Sequence, residues 1–510
     1  MGIVSTDRGF QHQQIILEDT RSVCPVCRTV LPAVLVRRDG RVIMCKRCSQ
    51  HGAFESLVYG DAELFERIRP FNKPGVQALE FTTPVEHGCP WDCGLCPDHQ
   101  QHICLGIIEV NSLCNLECPL CVADSRPIKD SGFSLTFEQV NSILDRFVAT
   151  EGQPEVVQFS GGEPTLHPRI LDFIALARDK GISYVMLNTN GVRIARDDRF
   201  LEGLAKLNVH IYLQFDGFDP QTWLTLRGRA DLLEIKLKAL ERLGEAGLRV
   251  ILVPAIERGV NEHEIGRIVD FGLSHPAVFG ISFQSAFHAQ RHLPFDPLER
   301  VTAPDILKAL ENQLNGVFRT SDFVAIPCCA PTCGMTTYAL LMDSQVLPVP
   351  RLLPVESYLD YIKNRSMPAL DRSLLRLLEG LWSGGAKAGS EGLASSLFQA
   401  LAQDCTPLDS GWESQRCASC RVGLPLSAHK PLDLARHVFM ISVRDFMDPW
   451  TFDVRDIHKC CIAELLPDGR TIPFCAYNSL GYREQVTEQL SWGILKGKKP
   501  CPTGNRTLDS

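Results

Sequence analysis

Cys114-Asn115-Leu116-Glu117-Cys118-Pro119-Leu120-Cys121 decides how this chain is read. Its cysteines are spaced CxxxCxxC and follow directly on a short apolar run, residues 105–110. Three thiolates can hold three irons of a 4Fe–4S cluster and leave the fourth iron open. An open iron suits a cluster that activates a substrate, whereas an electron carrier is normally closed by four protein ligands. Alone, the spacing also fits a structural zinc or a ferredoxin-type site.

Outward from this loop the pattern alternates strand and helix. Thr136 caps a helix, with Gln139 as its capping-box partner and Val140, Ile143, Leu144, Phe147 and Val148 at helical spacing. Strands are expected over 155–159, 184–188, 209–215, 249–254 and 279–284, and a helix from Pro168 to Gly181. Six βα repeats imply an α/β fold with a parallel sheet curved into a full or partial barrel. Three motifs close successive strands: Ser160-Gly161-Gly162-Glu163-Pro164-Thr165, Asn188-Thr189-Asn190-Gly191 and Gln214-Phe215-Asp216-Gly217. The carboxyl ends of the strands are where parallel barrels place active sites. The glycines are expected to let the backbone approach a ligand closely, and Glu163 to offer a carboxylate to a cationic amino group. Singly, each motif is an ordinary βα turn; beside a three-cysteine loop they form a site.

Residues 105–290 resemble the radical S-adenosylmethionine (SAM) superfamily, whose marks are the CxxxCxxC loop and the GGE turn. The resemblance implies a partial (β/α)6 radical SAM barrel. It implies that Cys114, Cys118 and Cys121 carry the catalytic cluster. Gly161, Gly162 and Glu163 would contact the methionine part of SAM, and Asn188, Asn190 and Gln214 would line the SAM or substrate pocket. The chemistry implied is reductive cleavage of SAM to a 5′-deoxyadenosyl radical, which removes hydrogen from an unactivated carbon.

The flanks are rich in cysteine, which occurs 21 times in 510 residues. Near the N-terminus, Cys24-Pro-Val-Cys27 and Cys45-Lys-Arg-Cys48 frame a hairpin turning at Asp39-Gly40 and suggest a four-thiolate site for zinc or a single iron, as in a zinc ribbon or rubredoxin. A second CxxxCxxC stretch, Gly88-Cys89-Pro90-Trp91-Asp92-Cys93-Gly94-Leu95-Cys96-Pro97, needs a fourth ligand from elsewhere, with Cys104 a candidate. At the C-terminal end, Cys328, Cys333, Cys460 and Cys475 are the expected ligands of an auxiliary cluster. Cys417 and Cys420 are the rival pair, and Cys329, Cys405 and Cys461 stay unassigned. The expected organisation is a metal module over 1–68, a connector over 69–104, the barrel over 105–300, a helical, cysteine-rich region over 301–495 and a tail over 496–510.

Composition narrows the function classes. Hydrophobic residues are 45% and charged residues 22%, ordinary for a globular protein, and the net charge of -8 argues against a basic nucleic-acid surface. No apolar run is long enough to span a bilayer and no signal-peptide core opens the chain, so metal-bound thiolates in a cytoplasmic enzyme are expected. His288 and His292 read as surface-loop residues, with a place in the substrate pocket as the alternative.

The whole layout, with Ile472-Pro473-Phe474-Cys475-Ala476-Tyr477-Asn478 near the end, resembles the tetraether lipid synthase family over residues 20–485. That resemblance implies auxiliary 4Fe–4S clusters beside the radical SAM cluster, a rubredoxin-like module and carbon–carbon coupling of lipid chains, with peripheral membrane contact. It also implies an electron donor such as ferredoxin or flavodoxin. The alternative is methylation of a pterin or other small molecule; an electron carrier without turnover is a third class. A long apolar tunnel would favour lipid, and a short polar pocket would favour pterin.

Overall fold

The computed structural model describes residues 14–326, 329–342, 345–352 and 438–491. Cys328, Cys405, Cys417, Cys420, the helices expected over 356–405, the loop over 384–396 and the polar tail lie outside them. The first unit is an antiparallel meander of β1 (Ile15–Val23), β2 (Val30–Arg38), β3 (Arg41–Cys48) and β4 (Gly52–Tyr59), paired in that order. Asp39 and Gly40 both take positive φ, 50° and 72°, as a two-residue hairpin twisted with its strands requires. Helix α1 (Ala62–Ile68) follows, capped by the Asp61 carboxylate, which accepts the Leu64 N–H.

The βα repeats then run in sequence. They are β5 (Leu105–Glu109), α2 (Phe137–Glu151), β6 (Val156–Ser160), α3 (Ile170–Asp179), β7 (Tyr184–Thr189), α4 (Asp198–Lys206) and β8 (His210–Gln214). Helices α5 (Pro220–Arg227) and α6 (Leu232–Glu245), β9 (Val250–Val253), α7 (Ile265–Ser274), β10 (Val278–Ser285) and α8 (Ala303–Gln313) complete them. The Thr136–Gln139 capping box forms as its residues dictate.

The C-terminal part adds β11 (Gly334–Met342), β12 (Val438–Arg444), α9 (Val454–Ile457), β13 (Ile462–Leu465), β14 (Thr471–Pro473), α10 (Phe474–Ser479) and α11 (Tyr482–Ser491). Two of these strands extend the barrel. β13 pairs parallel with β5 and β12 pairs parallel with β10, so eight parallel strands run β13-β5-β6-β7-β8-β9-β10-β12. β14 and β11 close the two ends antiparallel. The sheet thus reaches beyond residue 300. The radical SAM type of partial barrel is present, but it recruits chain that carries the C-terminal cysteines.

Alternation along each strand separates two environments. Val157, Phe159, Leu187 and Leu213 pack outward in one core with Phe147, Phe173 and Leu240 of the helices. Val156, Met186, Ile251, Phe279 and Met440 fill the inside as an apolar floor. Other inward positions carry polar groups: Gln284 donates to the Tyr212 hydroxyl at 3.1 Å and Ser442 to Ser282 at 3.0 Å. Among the described residues no helix is long and apolar enough to cross a membrane.

Candidate active site and metal centres

The cysteine loop leaves β5 and is held from three sides. The Arg227 guanidinium donates to the Leu120 carbonyl at 2.9 Å and to both oxygens of Asp216 at 2.7 and 2.8 Å. Arg291 donates to the Cys118 carbonyl at 3.2 Å and to that of Ser125 at 2.6 Å, while its own carbonyl accepts the Cys121 N–H. The Leu116 N–H points at the Cys114 sulfur at 3.4 Å, and the Asn190 amide reaches the same sulfur at 3.9 Å. Burial, then Glu163, pushes the Cys114 thiol up to about 12. Metal ligation would reverse that cost, because bound iron stabilises the thiolate.

Gly161 and Gly162 lie directly against this loop. A Cβ on Gly161 would stand 2.3 Å from the Asn111 carbonyl oxygen, and one on Gly162 would stand 2.2 Å from that of Leu113. Gly161 also has φ +129°, which L side chains rarely adopt. The GG pair therefore lets the turn dock on the backbone that launches the cysteine loop. The Asn111 side-chain oxygen beside it is buried without a partner.

Glu163 is tied into the protein by its own hydrogen bonds. Its carboxylate is 1% exposed and already accepts four donors: the Thr165 N–H at 3.1 Å, the Thr165 hydroxyl at 2.6 Å, the Thr189 hydroxyl at 2.7 Å and the Asn190 N–H at 2.8 Å. It fastens the turn after β6 to the end of β7. Asn188 bonds Ser160 at 3.2 Å, and Asn190 bonds Asn115 at 2.7 Å. Gln214 bonds Asp216 at 2.7 Å and accepts from Lys236 at 2.8 Å. Lys236 also donates to the Asn190 carbonyl, so this buried ammonium links the ends of β7 and β8. Burial holds its pKa down at about 8. Nothing in the sequence of α6 marked Lys236, which stands two residues from the exposed Lys238.

In the N-terminal module the expected ligand set needs correction. Cys24, Cys27, Cys48 and His51 bring their ligand atoms within 4.8 Å of one another; Cys45 does not join them. Residues three apart on a strand face opposite sides, so Cys45 and Cys48 cannot share a face of β3. The Cys45 sulfur instead lies 3.6 Å from Glu55 and 3.8 Å from Arg38, and burial raises its pKa to about 11. The His51 Nδ1 stands 3.6 Å from the Cys24 sulfur and 3.5 Å from that of Cys48, and the Cys27 and Cys48 sulfurs are 3.9 Å apart. Tetrahedral N/S ligands at about 2.0–2.3 Å from one ion are separated by about this much. The Cys48-x-x-His51 spacing was the available signal.

Two further thiol groups form. Cys89, Cys93 and Cys96 line one cavity. Cys104 is not with them; it packs against Ile326, Cys329 and Cys461. Cys329, Cys333, Cys460 and Cys475 line another cavity, with Cys333 hydrogen-bonded to Cys329 and Cys460 to Cys475. Cys329, left unassigned by the sequence, thus faces three of the expected ligands.

One other expectation changes, and one buried carboxyl is new. His288 is 3% exposed, stacks on Phe295 at 3.7 Å and lies 3.1 Å from Glu257, so it is a core residue, while His292 is exposed. Glu464 on β13 is buried, and burial, then neighbouring Glu109, raises its pKa well above the usual carboxylate range. Glu109 is paired with Arg483 at 2.7 Å.

A parallel barrel with a three-cysteine loop docked on a GGE turn defines the class, and comparison with known proteins agrees. Residues 108–272 match the model of the radical SAM superfamily, and residues 16–60 match the HMPTM N-terminal zinc ribbon domain. The chain is a radical SAM enzyme, with a 4Fe–4S cluster and SAM as cofactors and a further metal site in its zinc ribbon. It is 33% identical over 507 residues to the 7,8-dihydro-6-hydroxymethylpterin dimethyltransferase of Methanocaldococcus jannaschii, spanning 94% of this chain and 97% of that one. The chain belongs to the family of that enzyme. GTP 3′,8-cyclase of Chlorobaculum tepidum is 32% identical over 171 residues, 33% of this chain and 49% of the cyclase. Among solved structures, Streptococcus suis SuiB bound to S-adenosylmethionine aligns with a TM-score of 0.35 and 18% identity over 41% of this chain and 47% of that one.

Proposed function

We propose that this enzyme methylates a reduced pterin such as 7,8-dihydro-6-hydroxymethylpterin. The single observation that carries the reading is the end-to-end likeness to the pterin dimethyltransferase. It favours the alternative opened by the sequence over the coupling of lipid chains. The polar groups inside the barrel support it: Gln158, Tyr212, Gln284 and Glu464 offer donors and acceptors suited to a heterocycle's edge. A long alkyl chain would offer them no hydrogen bond.

In this reading Cys114, Cys118 and Cys121 hold the radical SAM cluster and leave one iron for SAM. Bound together, cluster and SAM supply the one-electron chemistry that inert carbon requires. The chain's own part is positioning. Arg227 and Arg291 fix the loop carbonyls, Glu163 fixes the turn that meets it, and Lys236 sets Asn190 and Gln214 at the pocket wall. Cys24, Cys27, Cys48 and His51 hold a structural zinc. Cys89, Cys93 and Cys96, and separately Cys329, Cys333, Cys460 and Cys475, hold auxiliary clusters. Electrons arrive from a ferredoxin or flavodoxin in the cytoplasm, where thiolates stay reduced.

The test is anaerobic turnover of the reconstituted enzyme with SAM, a reductant and either 7,8-dihydro-6-hydroxymethylpterin or a lipid extract. Methylated pterin in the mass spectrum is expected. Coupled lipid chains without any pterin product would overturn the reading.

A further inference from the structure

Cys89-x3-Cys93-x2-Cys96 repeats the spacing of the catalytic loop, so spacing alone would permit a second cluster with an open iron. Its surroundings are different. The Asp92 carboxylate accepts the N–H groups of Glu86, His87 and Gly88 at 2.8, 2.7 and 2.6 Å and curls the loop tightly. The loop is then built onto the C-terminal segment. Tyr482 donates to the Pro90 and Trp91 carbonyls at 3.1 and 2.8 Å, the Gln100 N–H donates to the His458 carbonyl at 2.7 Å, and His99 bonds the Cys460 carbonyl at 2.9 Å.

This docking brings the His458 side chain, just past α9, to the cavity that Cys89, Cys93 and Cys96 line. His458 hydrogen-bonds the Cys89 thiol. Its Nε2 is buried with no partner. The other polar groups at this wall are spoken for or turned away: Asp92 holds its own loop, His99 holds Cys460, and Asp98 is exposed. Cys104 sits in a different thiol group. These four ligands do not meet in the tight knot seen in the zinc ribbon, the one such group among the described residues. A wider spread suits a multi-iron cluster over a single ion.

We propose that His458 is the fourth ligand of a cluster held by Cys89, Cys93 and Cys96, which closes that cluster to SAM and makes it an electron relay. The proposal rests on the reading of those three cysteines as cluster ligands. A neutral imidazole in place of a thiolate removes one negative charge from the cluster. Fewer negative charges raise the reduction potential, as histidine ligation does in Rieske centres.

The experiment is pulsed EPR on the full-length, reconstituted and reduced enzyme, made with natural-abundance or 15N-labelled histidine. A strongly coupled nitrogen that changes with the label is expected. It should vanish in His458→Cys, while iron and sulfide per chain stay unchanged and the potential of that cluster falls. SAM should leave the signal untouched. Absence of histidine nitrogen coupling, in an enzyme whose iron falls by one cluster on replacing Cys89, Cys93 and Cys96 with Ala, would overturn the assignment of His458. Iron unchanged by that triple replacement would instead overturn the reading of the three cysteines, and the proposal with it. The labelled wild-type spectrum needs no variant to fold.

Discussion

The Glu163 carboxylate accepts the backbone N–H of Asn190 at 2.8 Å, tying the end of one barrel strand to the end of the next. Three more donors converge on the same carboxylate. The turn that docks on the cysteine loop and the turn that carries Asn190 are therefore one rigid piece.

Glu163→Ala should loosen this piece without touching the thiols. Hydrogen bonds to a charged group are worth about 1.5–3 kcal/mol each, so loss of several should weaken SAM binding by at least about tenfold. Iron bound by Cys114, Cys118 and Cys121 should stay near the wild-type level. Equilibrium dialysis with labelled SAM, beside an iron assay, checks both; wild-type SAM affinity would contradict the fastening role.

Arg227→Met should destabilise the chain and free the cysteine loop. It leaves the fully buried Asp216 without its bidentate partner. Removing one member of a buried pair costs about 3–5 kcal/mol. A lowered midpoint in anaerobic denaturant unfolding is expected, with faster iron loss to a chelator. Unchanged stability would mean that the Arg227–Leu120 contact holds nothing.

The zinc ribbon separates cleanly by variant. Cys45→Ala should retain the N-terminal metal, because its sulfur faces Glu55 and Arg38. Cys48→Ala and His51→Ala should each lose it, since the ion needs a closed tetrahedral set. Metal analysis after gel filtration decides, and loss of the metal in Cys45→Ala would restore the four-thiolate set.

Acid sensitivity should follow His210, at the start of β8. Burial, then the Arg249 and Arg178 guanidiniums, holds it down at about 4 against an ordinary 6.5. Below 6.5 the unfolded chain takes up a proton that the folded chain refuses until about 4, so stability is lost as pH falls through that window. The shift corresponds to about 3 kcal/mol. His210→Phe keeps the ring between Tyr184 and Phe279 and should flatten the fall in stability between pH 6.5 and 4. An identical pH profile in wild type and variant would refute this.

Much of the barrel was legible. The first six strands and the Thr136 cap appear close to where alternation and cap chemistry put them, because each is set by residues adjacent in sequence. β12 and β13 were not read. Each is buried and distant in sequence from the barrel strand it pairs with, and the stretch before β12 lacks the βα rhythm. Their place depends on the unsatisfied edges of β10 and β5.

The thiol spacings themselves were set locally. Cys114, Cys118 and Cys121 lie on one loop, so their nearness along the chain follows from spacing alone, and Gly161–Gly162 follows from the same strand-end pattern. What the tertiary structure alone decided is the rest of each site: His51 in place of Cys45, because strand alternation turns one of two nearby cysteines away; Cys329 beside Cys333, Cys460 and Cys475; Arg227 and Lys236 reaching in from helices; and His458 arriving beside Cys89. A ligand on the same turn is placed by a few dihedral angles, but one supplied from another part of the chain is placed by the packing of every element between.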